Sequence, residues 1–363
     1  MTKISATIVA DSINEQGDRL TSVLVTMPRI ILSEMNTHRM LSKNTSSSRA
    51  IPFKKMVEAV QNDPFIPIAW QKDHKGMQGT EYITSQDEIE PRRNDWLDAR
   101  NDAVKRAKYL NEMGITKQLC NRLLEPFMWT TMLITGPKSG WENFFHLRNP
   151  QYELDIKDQS IYFKSKKDYQ EYLKLNGFNY QIPDENWKFL NKGQAEIHIM
   201  ALAECIWDAY NGSTPKQLKA GEWHIPFVDK IGEITCIPIA KNSPDYKQVL
   251  QGTQVMVSVA MAARTSYTVV GEDKGLDYEA LIGLHDRLLA QDPPHSSPLE
   301  HCARAMSDEE HGSYIKGKID LIDVDEPEYN GGIYEPQFSE KGWCNNFKGF
   351  IPYRYLVDNK ISI

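Results

Sequence analysis

Cysteine is scarce in this sequence and is not arranged for metal binding. The 363 residues include five cysteines, which are widely scattered and form neither a CxxC pair nor a Cys/His cluster at zinc spacing. We therefore expect no disulfide framework and no structural metal, and a reducing, cytoplasmic setting fits best. The N-terminal stretch MTKISATIVADS lacks the apolar core of a signal peptide, and no apolar run approaches the roughly 18 residues of a membrane-spanning helix.

An excess of positive charge is also missing. Lys and Arg number 42 against 49 Asp and Glu, which gives a net charge of −7. This balance argues against non-specific binding to duplex nucleic acid, although it is compatible with a locally basic pocket. The lysine-rich segment 164–167 leaves nucleic-acid binding as one competing hypothesis, which the overall charge opposes. Sequence signatures of common enzymes are absent too: there is no Walker A, GxGxxG or GxSxG motif, and no cysteine in a nucleophile context.

The hydrophobic pattern predicts a mixed α/β protein. Residues 3–10 and 21–27 are rich in β-formers and are separated by polar turn residues, which predicts a hairpin, and a helical segment follows Pro28. Further helices are predicted over residues 53–61, 90–110, 185–210, 250–263 and 277–290, with a strand or helix start at 127–135 and short strands near 225–228 and 234–239. The length allows about two domains or one larger fold.

Four short segments could carry chemistry. Residues 37–49 (THRMLSKNTSSSR) contain two arginines, a histidine, an asparagine and several hydroxyls, which can surround an anion, although a serine-rich surface loop has the same composition. Arg148 ends an apolar helix, where it could equally be a partner of the helix dipole. Residues 262–267 (AARTSY) fit a ligand-facing helix end or a packed terminus. Residues 295–301 (HSSPLEH) do not match a metal-binding helix, because Pro298 interrupts it.

Together these segments resemble the flavin-dependent thymidylate synthase family. The family hallmark RHRxxSxNxxSxRY is similar to THRMLSKNTSSSRA here, and NFFHLR, ending at Arg148, resembles an NFLNLR-type element. The segment leading to Arg122 and Pro126, the QAEI stretch at 194–197, AARTSY and HSSPLEH resemble further family motifs. The last two precede the hallmark in the family and follow it here, so the resemblance implies a circular permutation of a single catalytic domain spanning residues 1–363. In this interpretation the extra length lies in insertions at about 63–90 and 149–193 and in a C-terminal extension, 303–363.

The resemblance implies an α/β fold with a central sheet and flanking helices, a homotetramer with shared active sites, and one-carbon transfer to C5 of a pyrimidine deoxynucleotide. The family methylates dUMP with 5,10-methylenetetrahydrofolate, FAD and NADPH, and no enzyme cysteine attacks the base. Carried over by motif, Ser47 and Arg148 would be catalytic. The substrate would bind Glu34, Ser47, Arg49, Arg122 and Arg148. The flavin would contact His38, Arg39, Asn44, Asn143, Ser266, His295 and Ser297.

The sequence departs from the family mainly on the flavin side. Thr37, Thr45 and Ala50 replace an arginine, an acidic residue and a tyrosine of the hallmark, and residues 137–139 (PKS) replace an Asn-Ala-Arg. Glu34 stands where the family has a glutamine. Because a carboxylate accepts from the N4 amine of cytosine, one alternative is that dCMP replaces dUMP, and another is that water ends the reaction to give a hydroxymethyl group. Such chemistry would suit a virus that modifies its DNA, acting in the host cytoplasm. A non-catalytic homologue that binds nucleotide or flavin is a further alternative.

Overall fold

The computed structural model describes residues 1–75, 79, 81–156, 159–232, 234, 237, 239–312 and 347–361. Within these ranges the protein is a mixed α/β structure, as predicted, in which helices cover both faces of a central sheet. No helix of the described part is long and apolar enough to cross a membrane. Most of the predicted C-terminal extension lies outside the described residues.

The central sheet has the strand order β3-β4-β2-β1-β7 in the described part of the chain. Its strands are β1 (Ser5–Ile13), β2 (Arg19–Pro28), β3 (Ser42–Thr45), β4 (Trp129–Pro137) and β7 (Lys216–Gln217). The first two form the predicted antiparallel hairpin, with Ser5 opposite Thr26 and Ile13 opposite Arg19. Its turn is closed by Asn14, whose Oδ1 accepts the Asp18 N–H at 2.7 Å. The backbone carbonyl of Asn14 also accepts the Gly17 N–H at 3.1 Å, and Gly17 adopts a φ of +83°, which explains why the Asn-Glu-Gln-Gly-Asp segment reverses the chain.

The remaining strands form two small sheets. The strands β5 (Tyr152–Ile156) and β6 (Gln159–Phe163) pair with each other, and β8 (Trp223–His224), β9 (Ala303–Ala305) and β10 (Phe350–Pro352) form a sheet in the order β10-β9-β8. Both β9 and β10 belong to the predicted C-terminal extension. They pair with each other, and β9 also pairs with β8, which joins the extension to the rest of the protein.

The helices follow most of the predicted segments. They are α1 (Leu32–Asn36), α2 (Phe53–Asn62), α3 (Gln86–Glu112), α4 (Lys117–Cys120), α5 (Lys138–Arg148), α6 (Lys166–Leu175), α7 (Trp187–Leu190), α8 (Ile197–Asn211), α9 (Val228–Ile231), α10 (Tyr246–Arg264), α11 (Tyr278–Leu289) and α12 (Tyr353–Asp358). Short 3-10 turns span Arg29–Ile31, Asn121–Phe127, Asp184–Asn186, Thr265–Tyr267 and Ser297–Glu300. Gly114 follows α3 and has a φ of +80°. This left-handed backbone conformation favours glycine and ends a helix, as the sequence predicts.

Two details of the sequence prediction are wrong. The helix predicted over residues 185–210 is divided into α7 and α8, because Glu196 starts a new helix by accepting the backbone N–H groups of His198 and Ile199. The strand predicted near 225–228 is also misplaced: the strand is β8, and a turn leads from it into α9. Part of the strand predicted at 234–239 lies outside the described residues.

The sheet lies between two helical layers. One face packs against α5 and α8 through residues such as Val23, Ile134, Trp141 and Leu202, all fully buried. The opposite face packs against the end of α10, where Ala262 contacts the cluster containing Leu133. This layering places the ends of α5, α8 and α10, which carry residues of the resemblance motifs, around the same sheet.

A chain of buried polar groups crosses the α10 side of the sheet. The hydroxyl of Ser22 lies 2.8 Å from His224 Nε2 and contacts Thr135 Oγ1, and Thr135 Oγ1 lies 2.9 Å from His301 Nδ1. The other end of His224 is 2.9 Å from Ser12 Oγ. Burial lowers the pKa of both histidines to about 3. Both rings are therefore neutral in the folded protein near neutral pH.

These neutral histidines predict that the protein loses stability in mild acid. The unfolded chain binds protons below about pH 6.5, whereas the folded histidines stay neutral down to about pH 3. Their contribution is complete above pH 6.5 and is lost as the pH falls toward 3, at up to about 1.4 kcal/mol per pH unit for each ring. Urea unfolding between pH 7.5 and 5 measures this slope. His224→Asn should reduce this slope, whereas His146→Asn, at an exposed position, should leave it unchanged. Equal slopes in the two variants would contradict the conclusion that His224 is neutral in the folded protein.

Candidate active site

Arg148 is held at the end of α5 by a histidine and faces a carboxylate. Its Nε donates to His38 Nε2 at 3.0 Å, and its Nη1 lies 3.9 Å from Glu34 Oε2. The buried face of α5, which includes Phe144, packs into the core and leaves the last residue of the helix at the surface of a cavity. The side chain of Arg148 is 23% exposed, so the cation is accessible to a ligand.

His38 is a neutral, oriented acceptor. It is buried, its ring meets Phe144 edge-on at 4.9 Å, and burial together with the neighbouring Arg148 and Lys43 cations lowers its pKa to about 4. Because its Nε2 accepts from Arg148, its proton lies on Nδ1. Lys43, which sequence analysis did not single out, donates to the backbone carbonyl of His38, and burial lowers the pKa of Lys43 to about 8. His38 is thus fixed through both its ring and its backbone.

Two carboxylates share the Arg148 cavity, which has a volume of about 750 Å³ and is lined by Glu34, Arg148, Gln194 and Glu196 among others. Glu196 Oε2 accepts the N–H groups of His198 and Ile199 at 2.8 and 3.1 Å, and its Oε1 contacts His198 Nδ1. Glu34 has a different environment, because burial and the nearby Glu196 raise its pKa while Arg148 opposes the shift. Glu34 therefore keeps its proton to a higher pH than a solvated glutamate does.

Asn44 joins three segments that are far apart in the sequence. Its Nδ2 donates to the carbonyl of Ala262 and, at 3.0 Å, to Thr265 Oγ1. Its Oδ1 accepts from the hydroxyls of Ser266 at 3.4 Å and Ser297 at 3.2 Å. The hallmark-like segment, AARTSY and HSSPLEH therefore meet at one buried amide. All four hydrogen-bonding positions of this amide are occupied, so any ligand here would contact the two serines.

The serine-rich loop is ordered by contacts with its surroundings. Ser46 N donates to Thr131 O at 3.0 Å, and its carbonyl accepts from Arg29 Nη1 at 2.7 Å. Ser47 N donates to Ser266 O at 2.8 Å. The buried side chain of Asn121 donates to the carbonyls of Ser48 and Ile51 at 2.7 and 3.0 Å. The loop is consequently packed against its neighbours, with Ser46 and Ser48 buried and Arg49 exposed, and is not the fully solvated loop that its composition also allows.

The predicted site residues fall into two groups in the structure. Glu34 and His38 each contact Arg148, which lines the cavity with Glu34, and Asn44, Ser47, Ser266 and Ser297 meet at the second cluster. The other predicted residues are exposed: Arg39, Arg49, Arg122, Asn143 and His295. The roles of all the predicted site residues stay predictions. In the described part of the chain no group of three or more His, Cys, Asp or Glu side chains is arranged to bind a metal ion.

Arg29 and Asn121, which order the loop, were missed by sequence reasoning. Asn121 lies in the segment leading to Arg122 and Pro126, but the resemblance assigned no role to it or to Arg29. Thr45, which replaces the acidic residue of the family hallmark, has its hydroxyl 3.2 Å from Thr131 O on β4. At this position, where the family has an acidic residue, the threonine hydroxyl donates to the neighbouring strand of the sheet.

Comparison with solved structures gives distant similarities. No protein-family model matches the chain, and no match is found among curated protein sequences. The chain is similar to a UMP/dUMP methylase, PolB, from Streptomyces cacaoi bound with 5-Br dUMP, at 12% identity and a TM-score of 0.39, over 58% of this chain and 91% of that one. The same enzyme with 5-Br UMP gives 14% identity and a TM-score of 0.40, over 58% and 90%. Thymidylate synthase X from Helicobacter pylori with FAD and dUMP gives 17% identity and a TM-score of 0.23, over 47% and 71%.

Proposed function

We propose that this protein transfers a one-carbon unit to C5 of a pyrimidine deoxynucleoside monophosphate, in a dUMP-to-dTMP-type methylation that depends on folate and flavin. The observation that carries the proposal is the set of hydrogen bonds made by Asn44 to Thr265, Ser266 and Ser297. Three of the segments that carry the family resemblance, residues 37–49, 262–267 and 295–301, are joined through this amide although they are far apart in the sequence. This contact is what a single shared site requires.

Arg148 would stabilise the base during the reaction. Attack on the one-carbon donor requires negative charge to develop on the pyrimidine at N3 and O2, and a fixed cation lowers the free energy of that state. His38 accepts the Nε hydrogen of Arg148, and this leaves the four Nη hydrogens for the base and for Glu34. Because the pKa of His38 is lowered to about 4, it stays neutral and does not repel the guanidinium.

Ser47 and two arginines would hold the nucleotide. The Ser47 hydroxyl oxygen accepts the backbone N–H of Arg49 at 3.3 Å, so its hydrogen can be donated to a ligand. The guanidinium groups of Arg49 and Arg122 are exposed and provide the bidentate donors that suit a phosphate. The backbone of Ser47 is fixed to that of Ser266, so the loop presents Ser47 and Arg49 from a defined position.

The residues present also fit a flavin. The partly exposed hydroxyls of Ser266 and Ser297 can accept from ribityl hydroxyls, and the exposed Arg39 is a cation of the type that a diphosphate requires. A bound reduced flavin would supply the hydride that completes a methyl group. Asn44 would act by fixing the two serines, because its amide is fully occupied within the protein.

Product analysis tests the proposal. The purified protein is incubated with dUMP or dCMP, methylenetetrahydrofolate, FAD and NADPH, and the nucleotide is identified by mass. A nucleotide that gains CH₂ carries a methyl group, which is the expected result. A gain of CH₂O identifies a hydroxymethylase. Nucleotide binding without any product, and without tritium release from the 5-³H substrates, would show a non-catalytic homologue and would overturn the proposal.

The position of Glu34 favours dCMP as a second candidate substrate. An ionised Glu34 accepts from the N4 amine of cytosine, and since its pKa is raised, the preference for dCMP over dUMP should increase as the pH rises through that pKa. In the same assay Glu34→Gln should lower kcat/KM for dCMP relative to dUMP by about tenfold or more. Glu142→Gln, on the exposed side of α5, is the control. An unchanged ratio in Glu34→Gln would exclude Glu34 as a reader of the base.

A further inference from the structure

A second cavity lies where the two predicted insertions meet. Its volume is about 400 Å³, and it is lined by residues of 66–70 and 83–93 on one side and of 150–152 and 184–191 on the other, with α8 as its base. Ile197 of α8 lines this cavity, and the preceding Glu196 lines the Arg148 cavity. The two cavities therefore neighbour each other at the start of α8. No residue of the resemblance motifs other than those in that turn lines the second cavity.

The walls of this cavity are largely apolar and aromatic. Trp70 and Trp187 line it together with Met200, and Trp187 is fixed by edge-on contacts with Tyr152 at 5.0 Å and Tyr169 at 5.3 Å. Ile68, also in the lining, is 52% exposed. A fixed aromatic wall beside solvent-accessible apolar surface suits a planar apolar ligand, because its burial removes both surfaces from water.

The charges around the cavity favour an anion. Three cations line it, Arg93, Lys166 and Lys188, against the two carboxyl groups Asp184 and Glu204. Glu204 is buried and already engaged, because its oxygens accept from Tyr152 Oη at 3.0 Å and from Lys166 N at 2.7 Å. It therefore offers little to a cationic ligand. Because Arg93 lies 3.9 Å from Glu90, the cations that remain for an anion are Lys166 and Lys188.

We propose that this cavity binds a small molecule with a planar aromatic body and one anionic group, such as an aromatic carboxylate or sulfonate. The aromatic body would lie against Trp187 and Met200, and the anionic group would lie near Lys166 and Lys188. This site is separate from the nucleotide chemistry proposed above. It can be tested whether or not the protein proves to be an enzyme.

The probe 8-anilinonaphthalene-1-sulfonate tests the site, because it has the proposed chemistry and becomes fluorescent when it leaves water. We expect saturable binding with one dominant site. Ala201 lines the cavity, so Ala201→Phe should fill it and weaken binding at least tenfold. Ala209→Phe on the same helix, outside the lining, is the matched control and should change affinity less than twofold. Absence of saturable binding, or equal affinities in both variants, would overturn the proposal.

A charge comparison tests the anionic part separately and does not depend on the folding of Ala201→Phe. The double variant Lys166→Gln, Lys188→Gln should bind the sulfonate probe about tenfold more weakly and should bind the uncharged N-phenyl-1-naphthylamine as the unaltered protein does. Lys167→Gln, exposed and outside the cavity, is the control. An unchanged affinity for the sulfonate in the double variant would overturn the requirement for an anionic group.

Discussion

Replacement of Arg148 with alanine is expected to lower turnover about 10²- to 10³-fold, the size of effect seen when a fixed electrostatic donor is removed from a reacting group. The variant loses the cation that faces Glu34 and is oriented by His38. Tritium release from the 5-³H nucleotide measures the step at C5 directly. The fold should be preserved, because the side chain lies at the edge of a cavity and the buried residues of α5 are unchanged.

Two companion variants make this result specific to Arg148. Lys138→Ala removes an exposed cation from the first turn of the same helix, where it lies 3.7 Å from Glu142, and should leave turnover unchanged. Arg148→Lys keeps the charge, but a lysine ammonium lacks the planar set of donors with which a guanidinium binds His38 and a second group at once. Its turnover should therefore lie between those of Arg148→Ala and the unaltered protein. A loss smaller than threefold in Arg148→Ala would mean that this residue is not at the reacting base.

Replacement of Asn44 with aspartate is expected to destabilise the protein by several kcal/mol. An ionised aspartate cannot donate to Ala262 O and Thr265 Oγ1, and it brings a charge into a site where residue 44 is only 6% exposed. A buried acceptor left without its donor costs about 1–3 kcal/mol, and burial of an unpaired charge adds to this. Urea and thermal unfolding of the purified variant measure the loss.

The exposed Asn143 on α5 provides the matched substitution. Asn143→Asp makes the same chemical change where water solvates the carboxylate, and its midpoint of unfolding should stay close to that of the unaltered protein. Equal midpoints for the two variants would show that the Asn44 contacts do not stabilise the fold. The motifs would then lack the physical link on which the proposed shared site depends.

Local patterns in the sequence predicted most of the regular structure. The hairpin of β1 and β2 follows from two β-rich runs around a polar turn, and α10 and α11 follow from apolar residues at helical spacing. The division of α7 from α8 was missed. The reason is that the side chain of Glu196 caps α8 and so starts a new helix there. The spacing of apolar residues, from which the longer helix was predicted, carries no information on capping.

The candidate site was predictable only in part, because its contacts are not local. The resemblance placed Arg148, His38 and Asn44 in one site, and the structure brings the first two together and joins the third to Ser266 and Ser297. Resemblance could not show that Lys43 fixes the backbone of His38. It also could not show that the Asn44 amide is saturated within the protein, since the partners of that amide come from another part of the chain.

The contacts of Asn44 also determine when the site can form. They close separations of 222 residues to Ser266 and 253 residues to Ser297. Closing loops of that length is entropically unfavourable until other structure has brought the ends together. The hairpin of β1 and β2, in contrast, can form as soon as its own residues are available. We therefore expect the cluster to form late in folding, and a nascent chain interrupted before residue 297 cannot complete it, because it lacks Ser297.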